Sequence, residues 1–383
     1  MNIVHRVLLA AAALAAGAPF ITGAAEPTPV VNSVATAIAR HRIEEAPSPV
    51  RTSPLWKAPR KILLLDFGGS QSARIESLRT ATAGVQSVVA RDVASAAAAA
   101  ADADVIVGSN PEICDPRIIN NAKQLRWLAS LSAGVELCMG LPAIKARSVM
   151  MTNMRGVDSP VIAEHAIAMM LALAHGLDRF ALHTAQKEWS RTSAARVPMQ
   201  FLEGKTLLVS GLGGIGTEVA WRAAGLGMNV VATRDGGSGK PDFVSYIGQP
   251  GELLTLARTA DVIVSALPLT PQTTGLYDAR FFAVLKPTAF FINIARGGSV
   301  VTADLVAALN SGKLAGAGLD VVDPEPLPPD HPLWNSPRVL MTPHISSASD
   351  LPGNSRWIIA AENLRRYIAG DRMLSVVDLQ RGY

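Results

Sequence analysis

The sequence predicts an α/β protein built from two Rossmann-like, doubly wound parallel-sheet domains that face each other across an interdomain cleft. Three observations carry this. Short, continuous apolar runs such as Ile62–Leu65 and Leu207–Val209 end in polar or glycine residues, the mark of strands buried on both faces. Two blocks of such runs share a spacing: Ala103-Asp104-Val-Ile-Val reaches Pro111 seven residues after its Asp, and Ala260-Asp261-Val-Ile-Val reaches Pro268 at the same interval. Between the blocks, Ser159-Pro160 opens a helical pattern from Val161 to Leu177 that is apolar nearly all round, which suits a helix buried between domains or subunits.

Taken from the N-terminus, His5-Arg6 precede the apolar run Val7–Ala16, and small residues lead to Ala24-Ala25 before Glu26-Pro27. This is the layout of a secretory signal peptide over residues 1–25, with an alanine-rich helix as the alternative. Residues 26–56 hold Pro27, Pro29, Pro47, Pro49 and Pro54 and few bulky apolar residues, so they read as a Pro-rich linker. Order is expected to begin near Lys61, with a strand running to Asp66 and a turn at Gly68-Gly69. The two cysteines, Cys114 and Cys138, form no CxxC pair and have no histidine at metal-ligand spacing, so no metal is expected. They read as two buried thiols, a disulfide being open only if the protein leaves the cytoplasm. A last helix, roughly Ser355 to Ala369, follows the second block, so the chain is expected to return to its first domain.

The second block holds the strongest motif. Gly211-Leu-Gly213-Gly214-Ile215-Gly216 follows an apolar strand, precedes a helical stretch Thr217–Leu226, and is followed by the strand Asn229–Ala232. In that context the pattern is a dinucleotide-binding fingerprint. The first glycine permits the tight turn, the second lets backbone approach a pyrophosphate, and the third lets helix pack on strand. Thr233 and Arg234 stand where the ribose is read. An Arg there pairs with a 2′-phosphate, which favours NADP; the alternative is that Asp235, one place later, serves NAD.

Three further residues lie at or just beyond strand ends. Arg296 follows Phe291–Ala295, Glu325 sits in Asp323-Pro-Glu-Pro after Ala317–Val322, and His344 sits in Thr-Pro-His after Val339–Met341. Redox chemistry on a 2-oxo acid needs these types. Arg offers a fixed fork for a carboxylate, His can hand a proton to the oxo oxygen, and a carboxylate fixes the tautomer of the His.

With these motifs in order, the sequence resembles the D-isomer-specific 2-hydroxyacid dehydrogenase family over about residues 60–375. The resemblance also rests on Ala163-Glu164-His165, Leu267-Pro268-Leu269-Thr270, Gly318-Leu-Asp320-Val, and Pro332-Leu-Trp334. It implies that Arg296 binds and polarises the 2-oxo acid, that Glu325 and His344 are the acid/base pair, and that Asp320 holds the nicotinamide carboxamide. It adds Pro268, Thr273 and Ala295 to the cofactor contacts, and Ser132, Ala133 and Gly134 as the loop whose N–H groups take the substrate carboxylate. Leu125-Arg126-Trp127 and Asn153-Met-Arg-Gly156 are similar to the glyoxylate/hydroxypyruvate reductase branch, which agrees with Arg234 and NADP. Glu136 departs from the family, standing where an Asp is usual. The N-terminal signal is the largest departure, because the family is mostly cytoplasmic.

The expected organisation is a substrate domain over 57–155 and 345–383 and a dinucleotide domain over 156–344. The expected partner is a small 2-oxo or 2-hydroxy acid, with a homodimer implied by the family and the buried helix. Residues number 35 basic against 31 acidic, an excess of +4 that leaves no electrostatic footprint for nucleic acid. No apolar run after the N-terminus is long enough to span a membrane. The rival class is an exported nucleotide-binding protein that keeps the fold without turnover. A formate- or phosphite-oxidising relative is the weaker rival, since formate oxidation needs no protonating His–Glu pair.

Overall fold

A computed structural model of the protein describes residues 33–381 apart from 70, 83, 195, 238 and 349–353. The expected signal peptide over 1–25, and residues 26–32 of the expected linker, lie outside the described residues.

Twelve strands build two wholly parallel sheets among the described residues. The first contains β1 (Lys61–Leu65), β2 (Gln86–Ala90), β3 (Val105–Gly108), β4 (Trp127–Ser130) and β5 (Met150–Thr152), in the order β2-β1-β3-β4-β5. The second contains β6 (Thr206–Ser210), β7 (Asn229–Thr233), β8 (Tyr246–Gly248), β9 (Val262–Ser265), β10 (Phe290–Asn293), β11 (Gly316–Leu319) and β12 (Val339–Met341). Its order is β12-β11-β10-β9-β6-β7-β8. Each order reverses beside the first strand of its sheet, and such switch points are where open α/β sheets bind ligands.

The repeated Asp has a structural task in both sheets. A carboxylate oxygen of Asp104 accepts the backbone N–H groups of Arg60 and Lys61 at the start of β1, at 2.8 and 3.3 Å. Asp261 accepts that of Thr206 at the start of β6, at 2.9 Å. Each thus satisfies an edge donor that parallel pairing leaves unpartnered. The central strands β3, β4, β9, β10 and β11 are buried along their whole length, and apolar side chains on both sheet faces form the core.

The apolar helix runs Ser159–Ala174 with Pro160 in its first turn, and it stops at Gly176, whose φ of 68° ends it three residues before the expected limit. It buries Ile162, Ala166, Met169, Met170 and Leu173 in the core of the second sheet. The last helix, Asn354–Ala369, packs on the first sheet, where Tyr367 stacks on Trp127 with ring centroids 4.7 Å apart.

Two expectations are corrected. The linker expected over 26–56 is folded structure from Ser33 onward. A helix at Val34–His41, capped by the Ser33 side chain, leads into a strap that buries Ala37, Ile43 and Val50 in the core of the first sheet. The strap hydrogen-bonds residues 370–375 through Ala46, Val50 and Arg51 N–H groups and the Glu44 carbonyl. Prolines here fix local turns without preventing burial, because three well-placed apolar side chains suffice to anchor a short strap. Secondly, Cys114 and Cys138 are joined in a disulfide rather than standing as two buried thiols; they lie 24 residues apart in sequence, and the folds after β3 and β4 bring their Cα atoms to 4.7 Å.

Candidate active site

The helix Gly214–Gly225 starts inside the glycine motif, three residues earlier than the sequence pattern suggests. The three motif glycines do different work. Gly211 has φ 99°, and a Cβ there would lie 2.9 Å from the carbonyl oxygen of Ala266. At Gly216 a Cβ would lie 2.0 Å from the carbonyl oxygen of Gly211, so only glycine lets the helix close on β6. At Gly213 a Cβ would meet nothing within 4 Å, and no side chain caps this helix start. The space beside Gly213 is therefore open at the positive end of the helix dipole, which fits a pyrophosphate. Gly214 packs on Ser159, and Ile215 packs against the core.

Thr233 ends β7, buried, and its carbonyl accepts the N–H groups of Gly211 and Leu212. Arg234 follows it and borders a cavity of about 340 Å³ with Gly236, Gly237, Lys240, Ser245 and Tyr246. Its Nη2 donates to the Gly239 carbonyl at 2.8 Å. Lys240 also lines this cavity, and its sequence signal is the nearby glycines Gly236, Gly237 and Gly239, each of which adopts positive φ. Asp235 is exposed and is not among the residues that line this cavity. Pro268 and Thr273 form a separate turn after β9, where the Thr273 hydroxyl donates to the Pro268 carbonyl at 2.6 Å.

At the ends of β10 and β11 the chain closes tightly on itself. A Cβ at Gly297 would fall 1.8 Å from the carbonyl oxygen of Val322, so this glycine sets the Arg296 loop directly against the loop carrying Glu325. Ala295 is buried, and its carbonyl accepts Arg296 Nη1 at 2.7 Å. Glu325 Oε1 accepts the Val322 N–H at 2.9 Å, and Oε2 lies 2.9 Å from His344 Nδ1. This holds the imidazole with Nε2 directed away from its carboxylate partner. His344 adopts φ 55°, a left-handed conformation stabilised by its N–H donating to the Asp320 and Thr342 carbonyls.

Asp320 is buried and fully engaged. Its Oδ1 accepts the Thr342 hydroxyl at 2.6 Å and the Ile345 N–H at 2.9 Å; Oδ2 accepts the Ser346 N–H at 3.0 Å. Burial alone would raise its pKa, but hydrogen bonds from Ser346, Thr342 and Ile345 outweigh this and hold it below the ordinary carboxylate value. The resemblance assigns Asp320 to the nicotinamide carboxamide; in the structure its carboxylate clamps the loop that carries His344. His165 joins this network, its Nε2 lying 2.9 Å from the Thr342 hydroxyl.

The loop Ser132–Gly134 follows β4 on the facing sheet. Each of its carbonyls is tied back: Ser132 by the Ser130 hydroxyl and the Met154 N–H, Ala133 by Asn153 Nδ2 at 2.8 Å, and Gly134 by Asn110 Nδ2 at 2.6 Å. Because a peptide's N–H points opposite to its carbonyl, the Ala133 and Gly134 N–H groups are turned the other way. Asn110 and Asn153 hold this loop in place, a task their sequence context does not reveal; each follows a strand end on the same sheet edge. The two sheets meet here, since Arg296 Nε lies 3.0 Å from Glu136 Oε1, just beyond the loop. The structure thus brings Arg296 to the 132–136 loop and His344 to Glu325, while the glycine motif and Arg234 line the same sheet edge further along.

Residues 167–346 match the model of the D-isomer specific 2-hydroxyacid dehydrogenase NAD binding domain. Glyoxylate reductase/hydroxypyruvate reductase of Mus musculus is 33% identical over 281 residues, covering 72% of this chain and 85% of its own. The chain belongs to the D-isomer specific 2-hydroxyacid dehydrogenase family. It is an NAD(P)-dependent dehydrogenase of that family. Among solved structures, a family protein from Aeromonas salmonicida superposes with a TM-score of 0.72 at 30% identity, over 84% of this chain and 99% of that one. An NADPH-dependent glyoxylate/hydroxypyruvate reductase from Sinorhizobium meliloti, solved with NADP and sulfate, has a TM-score of 0.71 at 25% identity, over 84% and 99%. Both cover nearly all of their own length on part of this one, so this dehydrogenase is longer than either.

Proposed function

We propose that this dehydrogenase reduces a small 2-oxo acid of the glyoxylate or hydroxypyruvate kind to the D-2-hydroxy acid, using NADPH in preference to NADH. The observation that carries the reading is the His344–Glu325 pair. Glu325 is anchored on a backbone N–H and holds Nδ1, leaving Nε2 to carry a proton toward a substrate oxygen. Arg296 and the Ala133 and Gly134 N–H groups bind the substrate carboxylate from two sides, which fixes the oxo carbon between them. The dinucleotide, when bound, supplies the hydride that reaches C2. His344 then gives its proton to the oxygen, and Glu325 stabilises the charge balance at Nδ1. Arg234 and Lys240 at the 340 Å³ cavity favour a 2′-phosphate over a bare ribose. The relative from Sinorhizobium meliloti, solved with NADP, supports this preference.

Reduction of glyoxylate, hydroxypyruvate and pyruvate, followed by absorbance with NADPH and separately with NADH, tests this. Turnover of at least one acid with higher kcat/KM for NADPH is expected; no turnover of any of them, or a clear NADH preference, counts against it.

We further propose that the mature protein is exported and dimeric. The Cys114–Cys138 disulfide supports export, because such bonds persist in oxidising compartments. Exposed apolar side chains within 177–201 support a self-association face: Leu177, Leu182, Met199 and Phe201 are exposed and Trp189 is 99% exposed. Edman sequencing of the mature protein is expected to begin at Glu26, and light scattering to give twice the chain mass. An intact Met1 and a monomer would contradict the two proposals respectively.

A further inference from the structure

Glu136 stands in an unusual place for a carboxylate. Its Oε1 is 3.0 Å from Arg296 Nε and its Oε2 is 3.4 Å from Nη2, while Nη1 is held by the Ala295 carbonyl. The side-on edge of the guanidinium, a fork suited to bidentate carboxylate binding, is thus filled by the protein's own acid. The pair lies against the substrate loop. A Cβ built on Gly134 would fall 1.9 Å from Arg296 Nη2 and 2.6 Å from Glu136 Oε2. An anion held jointly by this loop and Arg296 needs the space that the Glu136 carboxylate fills.

We propose that Glu136 is the specificity-determining residue of the substrate pocket: an internal carboxylate that competes with the substrate's own for Arg296 and screens out dicarboxylates. The inference rests on the reading of Arg296 as the substrate-binding cation. Displacement is feasible because the two side chains keep 30% and 29% of their exposure, and a pair so open to water is weak. A substrate carboxylate that gains the same fork together with two backbone N–H groups outbids it. The backbone at Glu136, by contrast, is pinned. It opens the short helix Glu136–Met139, whose Cys138 is bonded to Cys114, and the preceding Gly134 carbonyl is held by Asn110. Only the side chain can swing, so its negative charge stays at the rim of the pocket. A 2-oxo acid with a neutral or hydroxyl-bearing substituent tolerates that charge, and a hydroxyl can donate to it. A second carboxylate is repelled.

The test is calorimetric titration of the NADP⁺-loaded protein, in which no turnover occurs, with oxamate as a monocarboxylate probe and 2-oxoglutarate as a dicarboxylate probe. Glu136→Gln keeps the size and removes the charge. It is expected to bind oxamate about fivefold tighter than wild type, the scale of a half-exposed ion pair. It is expected to gain more for 2-oxoglutarate, so the ratio of the two Kd values narrows. Glu136→Asp, one methylene shorter, gives a smaller gain in the same direction and serves if the first variant does not fold. Oxamate binding that is unchanged or weaker in Glu136→Gln overturns the proposal, as does an equal gain for both probes or no oxamate binding by either protein. Failure of the proposed function would appear separately, as wild-type protein that binds oxamate yet oxidises no NADPH when given glyoxylate, hydroxypyruvate or pyruvate.

Discussion

The two sheets begin alike and part at the end of their first strand. In the first sheet β1 leads to Asp66, a buried carboxylate that accepts the Gln71 N–H at 3.1 Å and the Ser72 hydroxyl at 2.8 Å. The helix that follows, Ser72–Ala81, thus has its positive end answered by an internal anion. In the second sheet β6 leads to Gly211, and the helix at Gly214 starts with no side-chain cap and open space at Gly213. One architecture closes its helix terminus for stability; the other leaves it unsatisfied, a cost that a phosphate-bearing ligand offsets on binding. The difference lies in which residue stands at the terminus, and it agrees with the dinucleotide domain lying on the second sheet; the first sheet is left with the proposed substrate loop.

That contrast can be broken by making the second sheet imitate the first. Gly213→Asp places an anion at the open terminus; Gly213 has extended backbone that any residue adopts, and no atom crowds it. NADPH affinity is expected to fall about a hundredfold or more, from like-charge repulsion at the phosphate site, with Tm nearly unchanged. Retained nucleotide binding by fluorescence titration would show that the open terminus is not the phosphate site. Arg234→Ser tests the neighbouring ribose pocket. The Kd for NADPH is expected to rise about tenfold, the scale of one charge-assisted contact, with that for NADH little changed; equal effects on both would remove Arg234 from phosphate recognition. The smallest effect belongs to the first sheet. Asp66→Ala removes the acceptor shared by the Gln71 N–H and the Ser72 hydroxyl at the start of the helix and is expected to cost about 1 kcal/mol in chemical denaturation, without altering NADPH affinity. A change in nucleotide binding there would mean that the two helix termini do not work independently.

Much of this division was legible in the sequence, and the reasons are physical. Buried parallel strands must be continuously apolar, so Ile62–Leu65 and Leu207–Val209 declared themselves. The glycines of 211–216 are demanded by contacts as short as 2.0 Å, so few other residues could stand there. What escaped were relations between distant residues. The buried apolar residues of the strap over 33–56, Ala37, Ile43 and Val50, are spread among prolines, and its partners lie more than three hundred residues away, at 370–375. The disulfide depends on the approach of two loops that no spacing encodes. Glu136 was visible as an oddity, but its engagement with Arg296 spans 160 residues. Asp320 shows a subtler limit: its importance was legible, and the loop it clamps was not, because hydrogen-bond partners such as the Ile345 and Ser346 N–H groups leave no mark in side-chain pattern.

The central claim is that the strand-end loops of the second sheet carry the chemistry, with His344 delivering the proton. The most direct measurement is kcat for glyoxylate reduction by His344→Ala at saturating NADPH, alongside its Kd for NADPH. The account predicts a loss of about a hundredfold or more in kcat, the scale of general acid catalysis, with NADPH still bound as in wild type; turnover within a few-fold of wild type would contradict it.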